Sequence, residues 1–174
     1  MREHLGLGPL SPLCPWKLAD HLGLHVLDIK QLPIPANDID HLTGAGSKAW
    51  SGFSIRHAGL IGVVLNTSHS LRRLRSTLMH EIAHIHLRHV GSRVDVNDSG
   101  ILLISDFSRE QEEEADWLSG ALLLPRDALL ESRKANNTID QICEEFGVSS
   151  DLCNWRLRMT AVDTQLKRRR FKAQ

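Results

Sequence analysis

The stretch His80-Glu81-Ile82-Ala83-His84 places two histidines four residues apart, with a glutamate directly after the first. On an α-helix, residues at this spacing lie about 40° apart around the axis and about 6 Å apart along it. Both imidazole rings can therefore close on one metal ion, with the glutamate beside them to take a proton from water. Because this H-E-x-x-H pattern is short, the rest of the sequence decides whether it marks a zinc site.

The residues around the motif have the periodicity of one amphipathic helix, from about residue 70 to about residue 90. Five apolar side chains cluster roughly 160° from His80 on a helical wheel and predict the face that meets the core. They are Leu71, Leu74, Leu78, Ile82 and Ile85. His80 and His84 lie on the opposite side, so packing in the core does not explain them. His86 and His89 lie well away from the face that carries His80 and His84, and we expect neither to contribute to the metal site.

A second helix is predicted from about residue 109 to about residue 124, where Pro125 ends the pattern. A catalytic zinc usually keeps three protein ligands and one water, so the two histidines need a third partner. Glu112 is the candidate that this helix offers, and Glu113 is the alternative. Asp116 lies one turn beyond Glu112, where it can accept the second ring N–H of a ligating histidine and fix its tautomer.

Strand-like segments precede the motif. Phe53–Arg56 and Leu60–Leu65 flank a His57-Ala58-Gly59 turn, which favours a β-hairpin, and Leu24–Ile29 is a further predicted strand. We expect Leu60–Leu65 to lie beside the metal-binding helix, where this part of the sheet is a candidate for pairing with an extended substrate.

The segment Ile139–Met159 has the pattern of a helix-turn-helix, with Gly147-Val148-Ser149 at the turn. Its apolar residues are frequent enough to be consumed by packing, so we expect a helical hairpin on the catalytic core rather than a DNA reader. The basic run Lys167–Lys172 is expected to be a solvated end of the chain.

The composition is that of an ordinary globular protein. The 174 residues are 41% hydrophobic and 24% charged, and Lys+Arg and Asp+Glu both total 21, so overall charge favours neither nucleic acid nor acidic membranes as partners. Three cysteines are too few and too badly spaced for a disulfide scaffold. No stretch resembles a signal peptide or a membrane span, and we expect a cytoplasmic protein.

Three blocks of sequence together resemble the ImmA/IrrE family of small bacterial metallopeptidases. They are Gly59–Asn66 followed by Arg75–His84, then Glu112–Pro125, then Phe146–Ser149 with Trp155–Arg158. The block Glu-Glu-Glu-Ala-Asp followed by Leu-Leu-Leu-Pro, coming after H-E-x-x-H, is the most specific of the three. The resemblance covers about residues 50–160.

This resemblance implies a gluzincin-like active site. It makes His80, His84 and Glu112 the ligands of one Zn²⁺ per chain, with other divalent metals as alternatives. It makes Glu81 the general base, and it makes Asp116 a residue that hydrogen-bonds a ligand histidine without touching the metal. The chain has no tyrosine, so the tyrosine that assists oxyanion stabilisation in thermolysin-like enzymes is absent.

We therefore expect an α+β, zincin-like single domain. A small twisted sheet would pack on the H-E-x-x-H helix and on a second, glutamate-bearing helix, with a helical hairpin toward the C-terminus. Residues 1–135 are the predicted metallopeptidase domain, 136–160 the helix-turn-helix-like element packed on it, and 161–174 a basic, flexible tail.

The predicted function is zinc-dependent cleavage of a specific regulatory protein. The family resemblance implies a helix-turn-helix transcriptional repressor as the protein partner, so that cleavage gives derepression in a phage, mobile-element or stress response. The alternative is a non-catalytic regulator that binds a repressor or DNA through the helix-turn-helix-like element. Glu81 favours the enzyme, because a structural zinc needs no base. We expect no membrane partner and no direct nucleic-acid binding.

Overall fold

The computed structural model describes residues 2–91, 93–96 and 102–172, and the chain has the predicted α+β class. The strands are β1 (His25–Asp28), β2 (Gly52–His57), β3 (Leu60–Leu65), β4 (Arg93–Val96) and β5 (Leu102–Ser105). The helices are α1 (Pro15–His21), α2 (Ala36–Thr43), α3 (Leu71–Leu87), α4 (Arg109–Leu123), α5 (Arg126–Lys134), α6 (Ile139–Phe146), α7 (Ser150–Thr160) and α8 (Val162–Lys172). Within these described ranges, no helix combines the length and the apolar character needed to cross a bilayer.

The five strands form one mixed sheet in the order β1-β3-β2-β5-β4. β1 runs parallel to β3, and the other neighbours are antiparallel. The predicted hairpin is present, with His57 opposite Leu60 and two residues between them. Both of those residues, Ala58 and Gly59, have positive φ angles of 47° and 81°, as a two-residue type I′ turn requires.

The position of β3 limits where an extended substrate could pair with the sheet. Gly62 of β3 pairs with His25 of β1, and Leu65 pairs with Gly52 of β2, so both edges of β3 are occupied. This strand packs beside α3, as predicted, but it cannot add an extended peptide. Among the described strands, only the outer edges of β1 and β4 end the sheet.

α3 carries the motif, and its termini are set locally. Ser70 caps the first turn by accepting a hydrogen bond from the backbone N–H of Arg73. Leu78 and Ile82 are fully buried, but Leu71 is 65% exposed, so the core-facing stripe begins after the first turn. The helix ends at Leu87 rather than near residue 90.

The chain divides into two compact units, and each is described separately. One unit is Pro15–Ser119, which contains the sheet, α1 to α3 and most of α4. The other joins residues 1–14 to residues 120–174 and contains α5 to α8. The domain boundaries that we expected at 135 and 160 stay predictions.

The second unit contains the predicted helical hairpin. α6 and α7 are joined through Gly147, whose φ of 62° gives α6 its left-handed C-cap. Ile142, Phe146 and Leu157 are buried, so the hairpin uses its apolar residues for packing.

The last helix, α8, was not predicted. We expected residues 161–174 to be a tail, but residues 162–172 form a helix. Val162 is fully buried, and Arg133 Nε of α5 donates to Asp163 Oδ1 across 2.9 Å. These contacts fix the start of α8, while the flexibility expected further along this segment stays a prediction.

Candidate metal centre

Three side chains of the first unit converge on one point. α3 presents His80 and His84 from consecutive turns, and α4 presents Glu112. His80 Nε2 lies 2.9 Å from His84 Nε2 and 3.1 Å from Glu112 Oε2, while His84 Nε2 lies 3.7 Å from the same oxygen. Ligand atoms at tetrahedral positions about 2.0–2.1 Å from a zinc ion are about 3.3 Å apart. The three distances bracket that value, so the triangle has the size that a metal ion of this kind needs.

The alternative third residue does not join this group. Glu113 is exposed, and its Oε1 accepts from Arg109 Nε across 2.8 Å, one turn back on α4. The two neighbouring glutamates therefore have different surroundings, because a step of one residue turns a side chain by about 100° around the helix. Glu112 is the residue that the structure brings to the two histidines.

The outer nitrogen of each histidine has a partner that determines its tautomer. His89 Nε2 lies 3.0 Å from Glu114 Oε2, and because a carboxylate only accepts, this nitrogen donates. In a neutral ring, His89 Nδ1 then accepts from His84 Nδ1 across 2.9 Å. His80 Nδ1 donates in the same way to Asp116 Oδ1 across 3.1 Å. Both Nε2 atoms are left with lone pairs that face each other.

This donor set fits a divalent cation. The ring nitrogens of His80 and His84 and a carboxylate oxygen of Glu112 converge on one point, and a cation there would be attracted to all three. Burial, reinforced by the neighbouring rings of His80 and His89, lowers the pKa of His84 to about 3, so this ring is neutral as a ligand must be. Two histidines and one glutamate form a known donor set of catalytic zinc.

Glu81 lies beside the group and is 9% exposed. Its Oε2 accepts a hydrogen bond of 2.6 Å from the hydroxyl of Ser54 on β2. Burial raises the pKa of Glu81, and the Ser54 hydrogen bond and the nearby His80 oppose that rise. A raised pKa makes this carboxylate a stronger base than a free glutamate, which suits a group that takes up a proton and later releases it.

An aromatic ring covers the outer side of the histidines. Phe107 stacks on His84 with ring centroids 3.9 Å apart and an angle of 24° between the planes. The same ring lies 6.3 Å from His89. The stacking restricts the orientation of the His84 ring.

Sequence reasoning missed four of the residues that surround the site, namely Ser54, His89, Phe107 and Glu114. The expectation that His89 stands apart is wrong, because its ring contacts that of His84. The helical-wheel argument placed His89 on α3, but the helix ends at Leu87, and no glycine in the sequence marks that end. For Ser54 the one available signal was a polar residue between two apolar ones in a predicted strand.

One protein-family model matches a stretch of the chain that contains all of these residues. The family model Peptidase_M78, described as the IrrE N-terminal-like domain, matches residues 21–158. The chain belongs to this peptidase family. The match confirms the resemblance found in the sequence, and it contains every residue of the candidate metal centre. No curated protein and no solved structure matches the chain. Membership in the IrrE N-terminal-like family supports a peptidase that acts on a protein substrate.

Proposed function

We propose that this member of the IrrE N-terminal-like family is a zinc-dependent endopeptidase of the zincin type. His80, His84 and Glu112 would hold the metal, and Asp116 would fix the tautomer of His80. The observation that carries the proposal is the convergence of His80 Nε2, His84 Nε2 and Glu112 Oε2 on one point, at mutual distances of 2.9–3.7 Å.

The chemistry divides between the metal and the protein. When bound, Zn²⁺ supplies polarisation of the scissile carbonyl and a lowered pKa for the attacking water. Glu81 takes the proton of that water and passes it to the leaving amine. Ser54 holds Oε2 of Glu81, which leaves Oε1 for the proton and keeps the carboxylate in one orientation.

The expected substrate is a specific regulatory protein in the cytoplasm, most simply a helix-turn-helix transcriptional repressor whose cleavage gives derepression. This part of the proposal rests on the resemblance to the ImmA/IrrE family. The alternative, a regulator that binds a repressor or DNA without cutting, has the α6–α7 hairpin in its favour. The buried Glu81 with its own hydrogen-bond donor favours the enzyme, because a binding module has no use for a base at this position.

The test compares metal content with cleavage in the same samples. Zinc is measured by elemental analysis in the wild type, His80→Ala, Glu112→Gln and Glu81→Gln, and Glu113→Gln is the matched control. We expect about one zinc per chain in the wild type, Glu81→Gln and Glu113→Gln, and a loss in the other two variants. Unchanged zinc in both His80→Ala and Glu112→Gln would contradict the site.

Cleavage is measured by mass spectrometry on a peptide library digested from a bacterial proteome. Glu81→Gln should lower the cleavage rate by about 10²–10⁴-fold while it keeps the metal, since it removes the general base. Full activity in this variant would contradict the mechanism. A zinc-loaded wild type that cuts no peptide but binds a helix-turn-helix repressor would favour the alternative.

A further inference from the structure

The backbone after α3 turns back on itself and brings a third histidine under the metal-facing pair. Arg88, directly after the last residue of α3, has a left-handed conformation with φ of 59°. The next residue, His89, donates its backbone N–H to the carbonyl oxygen of His84 across 3.0 Å. Its side chain is 5% exposed, so the ring is held inside the protein against the ring of His84.

We propose that His89 and Glu114 form a positioning relay for His84, in the order Glu114–His89–His84. Glu114 Oε2 accepts from His89 Nε2 across 3.0 Å, and His89 Nδ1 accepts from His84 Nδ1 across 2.9 Å. The relay orients the ring of His84 and keeps its Nε2 lone pair on the metal side. This inference rests on the proposed metal site, and it assigns two further residues to the support of that site.

The relay differs from the support of the other histidine. His80 donates directly to a carboxylate, that of Asp116, which is 64% exposed at its side chain. His84 is 2% exposed, and the imidazole of His89 stands between it and the carboxylate of Glu114. An imidazole is a bulkier and less charged neighbour than a carboxylate, so it supports a buried ring without bringing a full negative charge inside. His89 and Glu114 are positioning residues, because the three atoms that converge on the metal position belong to His80, His84 and Glu112.

The two hydrogen bonds of His89 can be removed separately. His89→Leu removes both the acceptor for His84 and the donor to Glu114. His89→Asn keeps an acceptor, since Oδ1 of asparagine takes nearly the place of Nδ1, but it loses the donor at the far end of the ring. Glu114→Ala removes the carboxylate alone. The matched controls are the exposed neighbours, His86→Asn and Glu113→Ala.

The measurement is the zinc dissociation constant, obtained by competition with a chromophoric chelator. His89→Leu should weaken zinc binding by about 10–100-fold, the usual effect of removing a partner of a metal-ligating histidine. His89→Asn should recover part of that loss. Glu114→Ala should weaken binding in the wild-type background and have no further effect in the His89→Asn background, because the bond is already broken there. The two control variants should bind zinc as the wild type does.

A second measurement does not depend on the metal. Long-range ¹H–¹⁵N correlation spectra of the metal-free protein should show the proton of His89 on Nε2 and that of His84 on Nδ1. A proton on Nδ1 of His89 would overturn the relay, and so would wild-type zinc affinity in a folded His89→Leu variant. If His89→Leu does not fold, as judged by circular dichroism, His89→Asn and the spectra decide.

Failure of the relay and failure of the proposed function give different results. Wild-type protein that binds one zinc, with binding lost in His84→Ala but unchanged in His89→Leu, overturns the relay and leaves the metal site standing. Wild-type protein that binds no zinc overturns the proposed function, and the spectra still test the relay.

Discussion

Replacing Ser54 by alanine removes the hydroxyl that donates to Glu81 Oε2 across 2.6 Å. Burial already raises the pKa of Glu81, and this hydrogen bond is the largest interaction that opposes the rise. Its loss therefore raises the pKa further. A hydrogen bond to a charged group contributes about 1.5–3 kcal/mol, and about 1.36 kcal/mol corresponds to one pH unit. The general base should then lose its charge at a pH about 1–2 units higher than in the wild type.

The assay is the pH dependence of kcat/KM on one cleavable peptide. Glu81 must be ionised to take a proton, so activity falls as the pH drops through its pKa. In Ser54→Ala this acid limb should move to higher pH, while the rate at the alkaline end stays close to that of the wild type. Ser54→Thr keeps a hydroxyl and should restore the wild-type limb.

The control for this experiment is Ser132→Ala, which removes a buried serine hydroxyl from the other unit. Its profile should be that of the wild type. An acid limb of Ser54→Ala that stays in place, or moves to lower pH, would refute the assignment of Glu81 as a base held by Ser54. Thermal unfolding of each variant separates this result from a loss of folded protein.

Three further predictions concern stability and reactivity. Burial raises the pKa of Glu81, so the ionised carboxylate opposes folding at any pH above the pKa that Glu81 has in the unfolded chain. Glu81→Gln should therefore raise the Tm of the metal-free protein at pH 7. The increase in Tm should be smaller toward pH 4, where the carboxyl group is protonated in both states. Gly120→Ala should destabilise the protein by about 1–3 kcal/mol in urea unfolding, since its Cβ would lie 2.5 Å from Trp155 Cζ3, and an unchanged midpoint would contradict that packing. Burial raises the pKa of Cys153 to about 12, so a maleimide at pH 8 should label the partly exposed Cys14 first; equal labelling rates in native protein would be the contrary result.

The parts of the molecule that sequence could predict are those with a local cause. α3 was predictable because the helical period of its apolar residues persists over several turns, and the i, i+4 spacing of His80 and His84 fixes their separation. The β2–β3 hairpin also has a local cause, since Ala58 and Gly59 suit a tight turn between two strand-like segments. β4 and β5 were not predicted, and part of the reason is that β5 joins the sheet through β2, where Leu103 pairs with Ile55, far earlier in the chain.

The hydrogen bonds around the metal centre belong to the part that sequence could not supply. Ser54 and Glu81 are 27 residues apart, and His89 and Glu114 are 25 apart, so their meeting depends on how the elements pack. The positions of the three proposed metal ligands were predictable only in part. The two histidines follow from one helix, whereas the choice of Glu112 over Glu113 required the orientation of a second helix.

The left-handed turn at residue 88 has a consequence for which mutations this protein tolerates. Arg88 is exposed, so its side chain is not constrained by the core, yet its φ of 59° sets the path of the chain into His89. Glycine and asparagine adopt this conformation readily, whereas valine and isoleucine resist it. In a saturation mutagenesis experiment, this surface position should rank amino acids by backbone preference rather than by charge or size. A solvent-facing residue would then show a selectivity usually associated with interior positions.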